Sequence, residues 1–480
     1  MDQSTLPLKQ IRARLPGLLD ALEAGLVERR RIVRLCLLAA LAGEHSLLIG
    51  PPGTAKSELA RRLHAVFRNA HYFERLLTRF SVPEELFGPL SIKALEEDRY
   101  ERHTAGFLPD ASVAFIDEVF KANSAILNAL LTLLNEREFD NGAGRQRCPL
   151  ITAIGATNEV PEDEVTEAFF DRFLVRVPVE AVSASGFARL LDTDSGAAWV
   201  PPSPETALDA AELLVLSEAA TKVTLPGEVS AILGQLRGQF ASEQTYVSDR
   251  RWVKIVRLLR MAAACEGRPS VVLWDLLLLP WCTAPDAPRQ AAVGDWLQAR
   301  LGVRAAFSPP RLTRVVEAFE AQLNAELKAN DLDYDESGRL RFSAGELAQD
   351  IGDAKGGASA LRITHSRQRR YGKLHIAART GQIDELLARI DAYADELAGQ
   401  FRSLSDYCAA SLWLDSGLTG RVSANLAAAL AKLGLRVLVL DADLGLANLD
   451  VVLNLYPKIT LHDVFTGKAK LEEAIIRAPG

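Results

Sequence analysis

The chain is expected to be an α/β protein built on a parallel sheet, and three short runs carry that expectation. The first is Gly50-Pro51-Pro52-Gly53-Thr54-Ala55-Lys56-Ser57. It stands between the apolar run Ser46-Leu47-Leu48-Ile49 and a helical pattern bearing Leu59, Ala60, Leu63 and Phe67. The second is Val113-Ala114-Phe115-Ile116, of buried-strand character, which ends in the adjacent acids Asp117 and Glu118. The third spans residues 150–157 and is followed by Asn158.

Strand, glycine-containing loop, lysine, hydroxyl residue and helix form the order a nucleotide phosphate site requires. Backbone N–H groups of the loop and of the helix start face the phosphates. Lys56 supplies a point charge toward the β- and γ-oxygens, and the Ser57 hydroxyl is offered to Mg²⁺. Ala55 stands where a second glycine is usual, and its side chain is small enough to fit. Side chains diverge at a strand's end, so Asp117 can reach the Mg²⁺ shell while Glu118 polarises the attacking water. Two solvated acids at a strand mouth are the plain alternative. Asn158 is placed to orient that water by hydrogen bonds, or is simply a turn residue in Asn-Glu-Val-Pro. In Ala168-Phe169-Phe170-Asp171-Arg172-Phe173, Arg172 could project onto a neighbouring subunit's γ-phosphate; an ordinary pair with Asp171 is the alternative.

Bulk properties fit a soluble multidomain chain. At 480 residues there is room for two to four cores, and 48% hydrophobic with 24% charged residues is ordinary for globular proteins. The formal net charge of -7 gives no global field for nucleic acid. Five scattered cysteines lack paired metal spacing and read as free thiols of a reducing compartment. There is no signal-peptide pattern, and no apolar run approaches the ~20 residues of a membrane span. The expectation is a cytoplasmic protein. Seven dispersed histidines, with no H-E-x-x-H and no G-x-S-x-G, argue against a metalloenzyme or a serine hydrolase.

These runs together resemble the AAA+ ATPases. Gly50 to Ser57 is similar to their Walker A, Val113 to Glu118 to Walker B, Asn158 to sensor 1 and Arg172 to the arginine finger. Tyr246-Val247-Ser248-Asp249-Arg250-Arg251-Trp252 resembles a sensor 2 segment opening a lid helix, with Arg250 preferred and Arg251 the alternative. The resemblance implies an αβα core over residues 1–198 and an all-α lid over 199–284. Residues 78–90 and 100–109 resemble the MoxR group, in which a hairpin-bearing insertion precedes Walker B. Asn135-Glu136-Arg137-Glu138-Phe139-Asp140-Asn141-Gly142 reads as a helix end and an Asn-Gly hairpin turn, matching that group's second hairpin. Residues 32–44 and the Ser-Asp-Arg-Arg-Trp segment look most like the RavA branch, and the likeness covers roughly residues 10–285.

Residues 285–414 are expected to form a helical arm with a small β insertion near 334–357. An amphipathic stripe of Ile383, Leu386, Leu387, Ile390, Tyr393, Leu397, Phe401 and Leu404 marks its longest helix. Residues 366–373 are a basic cluster, read as a solvated face, with nucleic-acid binding the alternative. Residues 415–480 change character. Val437-Leu438-Val439-Leu440-Asp441-Ala442-Asp443 and its continuation resemble the MinD/ParA family, in its flagellar number regulator branch. The family's phosphate loop is missing, since Asp415-Ser416-Gly417-Leu418-Thr419-Gly420-Arg421 has no signature lysine. A partial α/β fragment is expected there, joined by natural fusion or gene assembly near residues 415–426.

The resemblance implies an ATP- and Mg²⁺-dependent ring, expected to be a hexamer, that remodels or matures partner proteins. A von Willebrand factor A protein is an expected partner. Lys56, Ser57, Asp117, Glu118, Asn158 and Arg250 would act in one subunit and Arg172 would come from the next. An ATP-switched scaffold with little turnover and a nucleic-acid motor are the alternatives.

Overall fold

The computed structural model describes residues 5–142, 144–160, 164–192, 199–298, 300–301, 314, 317–321, 324 and 373–414. Helices α1 (Thr5–Glu23) and α2 (Arg30–Leu41) lead into β1 (His45–Ile49), the phosphate-type loop and α3 (Lys56–His64). Strand β2 (Tyr72–Leu76), the short helices α4 (Pro83–Phe87) and α5 (Ile92–Glu96), and β3 (Val113–Asp117) follow. Next come α6 (Ser124–Glu136), β4 (Glu138–Asn141), β5 (Gly144–Arg147), β6 (Thr152–Thr157), α7 (Glu164–Phe170), β7 (Phe173–Pro178) and α8 (Ala184–Asp192). The remainder is helical: α9 (Ala210–Lys222), α10 (Gly227–Ser242), α11 (Asp249–Cys265), α12 (Leu279–Thr283), α13 (Ala287–Gln298) and α14 (Lys373–Ala410).

Five strands form one parallel sheet in the order β2-β3-β6-β1-β7. A strand's side chains alternate between faces, so each face of this sheet needs its own helical layer. Leu47, Ala114, Ile116 and Ala153 point to one face, where Ile126, Leu130, Leu133 and Leu134 of α6 and Phe169 of α7 cover them. Leu48 and Ile154 point to the other, against Leu22 of α1, Val33 and Cys36 of α2, and Leu59 and Leu63 of α3. The three-layer α/β core expected from the sequence is therefore present, with β1 near the middle of the sheet.

Helix starts follow local capping chemistry. The Asn123 side chain accepts from the Ile126 N–H at α6, and Ser248 accepts from the Arg251 N–H at α11. Asp209 and Glu212 form a reciprocal capping box at α9. Helix α11 packs on α9 and also on α2 and β7, which seats the helical lid against the core.

The hairpin expected around Asn141 and Gly142 is β4–β5, with Asn141 paired to Gly144. Gly142 has φ +68, and a Cβ there would stand 1.9 Å from the Tyr100 carbonyl oxygen. The Asn141 amide fastens the hairpin to the same loop, accepting from the Arg102 N–H and donating to its carbonyl. The hairpin-bearing insertion expected before β3 is different. Residues 78–109 hold α4, α5 and a single antiparallel bridge, Leu90 to Arg102. Residues 90–105 hold no proline or glycine, but Ser91 caps α5 by accepting from the Ala94 N–H, and that helix occupies the span between the two bridge partners.

The chain divides into two units, Met1–Leu301 with Asp406–Thr419, and Gly302–Ser405 with Gly420–Gly480. Residues 285–301 and 406–414, expected in the arm, thus pack with core and lid. Trp413 is buried and donates to the Ala262 carbonyl of α11, Tyr407 donates to Asp275, and Arg34 of α2 donates to the Leu414 carbonyl. The positions of the expected amphipathic stripe, 383–404, lie in the part of α14 that belongs to the second unit. The β insertion near 334–357, the basic cluster before Lys373 and the tail from 415 lie outside the described residues. No described helix is long and apolar enough to cross a membrane.

Candidate functional site

The loop of residues 50–57 leaves the C-terminal end of β1 with its first residue zipped to both neighbouring strands. Gly50 donates to the Thr157 carbonyl of β6, and Val179, just past β7, donates to the Ile49 carbonyl. A Cβ on Gly50 would lie 2.0 Å from the Val179 carbonyl oxygen, so only glycine lets the loop start this close to the sheet. Gly53 and Ala55 both have positive φ, +78 and +66, and Ala55 is the residue immediately before α3. The glycine usual at position 55 is explained by this left-handed backbone. Alanine fits sterically but carries a conformational cost of about 1 kcal/mol.

The Lys56 ammonium donates to the Gly50 and Pro51 carbonyls at 2.6 and 2.8 Å. Burial lowers its pKa from the ordinary value, opposed by the charges of Asp117 and Glu118. The Thr54 hydroxyl donates to the Pro51 carbonyl and closes the loop on itself. Proline at 51 and 52 takes no part as donor, and Ser57 sits in the first turn of α3, partly buried.

Asp117 ends β3, beside β6, and its carboxylate accepts from the Glu118 N–H. Glu118 itself has φ +51, a backbone kink that turns it away from the strand direction. Its Oε1 accepts from Asn158 Nδ2 at 2.7 Å, and its Oε2 lies 3.2 Å from the Lys121 ammonium. The residues expected to hold and activate a water are thus in direct contact, across 40 positions of sequence.

Arg172, Arg250 and Arg251 are elsewhere. Arg172 immediately precedes β7, whose start is in register with the start of β1 (His45 opposite Phe173). The phosphate-type loop follows the other end of β1, where Ile49 is opposite Pro178. The two ends are roughly 13 Å apart at a parallel-strand rise of about 3.3 Å per residue. Arg250 shares the far end with Arg172, since it lies 3.3 Å from the Asp171 carboxylate. In this arrangement Arg250 therefore lies at the far end of the sheet from the loop of its own subunit, farther than an arginine side chain reaches.

Arg251 is a buried staple. It donates to the carbonyls of Cys282, Phe173 and Leu174 and to the Asp171 carboxylate, and burial lowers its pKa against the pull of Asp171. Asp171 also accepts from the Ser248 hydroxyl and lies 3.8 Å from Arg176. Arg172 does not pair with Asp171; its Nε is buried without a hydrogen-bond partner among the described residues. Asp171 thus collects three other arginines, and Arg172 is not among them.

Sequence reasoning missed Arg29 and the hub role of Asp171. Arg29 is only 7% exposed and reaches the loop from behind, donating to the Thr54 carbonyl at 3.2 Å and the Glu180 carbonyl at 2.9 Å. Its acceptors are backbone atoms 25 and 151 positions away, and no sequence motif marks such contacts.

The arrangement fits a nucleotide triphosphate with a divalent cation: a narrow glycine cradle, a lysine with no carboxylate bond of its own, and an acid at a strand mouth. Lys56 and the loop N–H groups would hold phosphates, and Ser57 and Asp117 would hold the cation, which supplies charge neutralisation when bound.

Comparison with known proteins gives two family matches. Residues 13–218 match the MoxR domain in the MoxR-vWA-beta-propeller ternary systems, and residues 228–297 match an AAA lid domain. An uncharacterised protein of Methanocaldococcus jannaschii is 39% identical over 274 residues, covering 57% of this chain and 70% of that one. A second uncharacterised protein of the same organism is 40% identical over 262 residues, covering 54% and 68%. The antiactivator FleN of Pseudomonas aeruginosa is 59% identical over 59 residues, which is 12% of this chain and 21% of FleN.

Proposed function

The chain belongs to the MoxR-type AAA+ ATPases, and from that membership we propose that it binds ATP with Mg²⁺ and hydrolyses it between adjoining copies in a ring. The contact of Asn158 with Glu118 carries the proposal. It holds the Glu118 carboxylate in one orientation, beside the loop that positions the γ-phosphate, where it can polarise a water. Residues 50–57 orient the phosphates, and Asn158 keeps the water and Glu118 in line. Arg172, whose Nε has no partner among the described residues, and Arg250 would serve the neighbour's site, where developing charge needs a cation.

The ring is proposed to be a hexamer acting in the cytoplasm as a RavA-like, chaperone-like remodeller. A von Willebrand factor A protein is the proposed partner, suggested by the name of the matching MoxR family. The proposed MinD/ParA-like fragment after residue 415, supported by the FleN likeness, lacks a phosphate loop and has no assigned catalytic part.

Lys56→Ala and Glu118→Gln test the assignment. Lys56→Ala is expected to lose ATP binding in calorimetry. Glu118→Gln is expected to keep ATP binding while phosphate release falls by about a hundredfold or more. Unchanged turnover in Glu118→Gln would defeat the role given to that residue.

A further inference from the structure

Arg29 is a buried guanidinium with an unusual set of acceptors. All three of its hydrogen bonds go to backbone carbonyls: Thr54 within the phosphate loop, Glu180 beyond β7, and Glu28. No carboxylate lies within ion-pair distance of it among the described residues. The neighbouring Glu28, with φ +57, accepts from the Ser183 N–H and hydroxyl ahead of α8, so its charge acts on Arg29 without a direct bond. A buried cation without a bonded anion is costly, so its retention behind this loop calls for a local reason.

Peptide geometry supplies one. In a trans peptide the C=O and the following N–H point in opposite directions. Drawing the Thr54 carbonyl backward onto Arg29 therefore turns the Ala55 N–H forward, toward the concave side of the loop. Ala55 is also the position whose left-handed backbone most needs outside support. The second bond, to Glu180, ties the guanidinium to the strand end that already holds the Ile49 carbonyl through Val179.

We propose that Arg29 is a positioning residue of the phosphate loop, splinting the Thr54–Ala55 peptide so that its N–H faces the triphosphate and adding positive charge behind it. The proposal rests on the phosphate-site assignment of residues 50–57. It requires the planar two-armed shape as well as the charge, because one group must reach two carbonyls at once.

The test uses the full chain with Arg29→Lys, Arg29→Gln and Lys56→Ala, titrated with Mg-ATP, with melting temperature followed without ligand. Arg29→Lys keeps the charge but not the fork, and is expected to weaken ATP binding by about tenfold, with Arg29→Gln weaker still. KM should rise while kcat stays within about twofold, since Glu118 and Asn158 are untouched. Wild-type ATP affinity in folded Arg29→Lys would overturn the proposal, as would a fall in kcat at unchanged KM. If Arg29→Gln does not fold, Arg29→Lys alone decides. If Lys56→Ala binds ATP like the wild type, the phosphate-site assignment fails and the Arg29 proposal falls with it. Loss in Lys56→Ala beside intact binding in both Arg29 variants sinks only the latter.

Discussion

Placement of Arg172 and Arg250 at the opposite end of the sheet from the phosphate loop makes a sharp prediction about mixed assemblies. Lys56→Ala should be inactive because its own loop is empty of charge, and Arg172→Ala because it offers nothing to its neighbour. When the two are mixed, an intact loop of an Arg172→Ala copy can meet an intact arginine of a Lys56→Ala copy. With random equal mixing in a closed ring, about one quarter of interfaces regain both halves, so turnover should recover toward about a quarter of wild type. The same experiment with Arg250→Ala separates its two possible sides. The roughly 13 Å between strand ends exceeds any rotamer change, so Lys56→Ala and Arg250→Ala should also complement. The assay is steady-state phosphate release from pre-mixed, re-equilibrated subunits. A mixture of Lys56→Ala and Arg172→Ala as silent as its components would refute the shared site. Failure with Arg250→Ala alone would show that Arg250 acts within its own subunit after a large lid movement, or not on nucleotide at all.

Two further outcomes follow from local geometry. Ala55→Gly should relieve left-handed strain at φ +66, partly offset by glycine's chain entropy. The net gain is expected to be about 0.5 kcal/mol, seen as a melting temperature about 1 °C higher, and a lower one would contradict the strain assignment. His45 is buried with its pKa well below the ordinary value, chiefly through burial and then Arg137. Its Nδ1 accepts from the Ala153 N–H while Nε2 faces the Leu134 carbonyl, so the neutral ring is the one that fits. The unfolded chain then binds the extra proton first. This group's contribution is complete above pH of about 6.5 and is lost as pH falls, by up to about 1.4 kcal/mol per pH unit. Urea midpoints of wild type and His45→Gln should converge on acidification, and a gap independent of pH would argue against it.

Much of this site was legible because its chemistry is continuous in sequence. Residues 50–57, Asp117 with Glu118, and Asn158 each close an apolar strand, and parallel strands in one sheet bring their carboxyl ends together. The β4–β5 hairpin was legible for a similar reason, since Asn141 and Gly142 encode the turn locally. What escaped was anything fixed by backbone acceptors from afar. Arg29 lies in the run Glu28-Arg29-Arg30-Arg31, where nothing distinguishes the one arginine that turns inward. Arg250 and Arg251 are adjacent in sequence and opposite in fate, one exposed beside Asp171 and the other wholly buried on four backbone carbonyls. The sheet end on which they sit depends on strand register, which motif order does not carry.

The polarity of the protomer bears on how copies assemble. The loop end of the sheet offers oriented N–H groups and Lys56, awaiting an anion. At the other end, Arg176, Arg250 and Arg251 gather on the carboxylate of Asp171, with the unpaired Arg172 next to it in sequence. Two such arginine ends brought together would repel, and each would leave the other's need for an anion unmet. A head-to-tail contact instead sets the arginine end of one copy against the phosphate-bearing loop of the next, and nucleotide becomes part of the interface charge balance. Such a contact closes into a ring when the rotation permits. Assembly on this basis should depend on the γ-phosphate: ATP should drive Glu118→Gln into rings in sedimentation velocity, and ADP should do so weakly. Replacing Arg172 should weaken ring formation with ATP and leave the ADP result nearly unchanged. Equal loss with both nucleotides would mean that Arg172 contributes packing and not charge, and the polarity argument would fail.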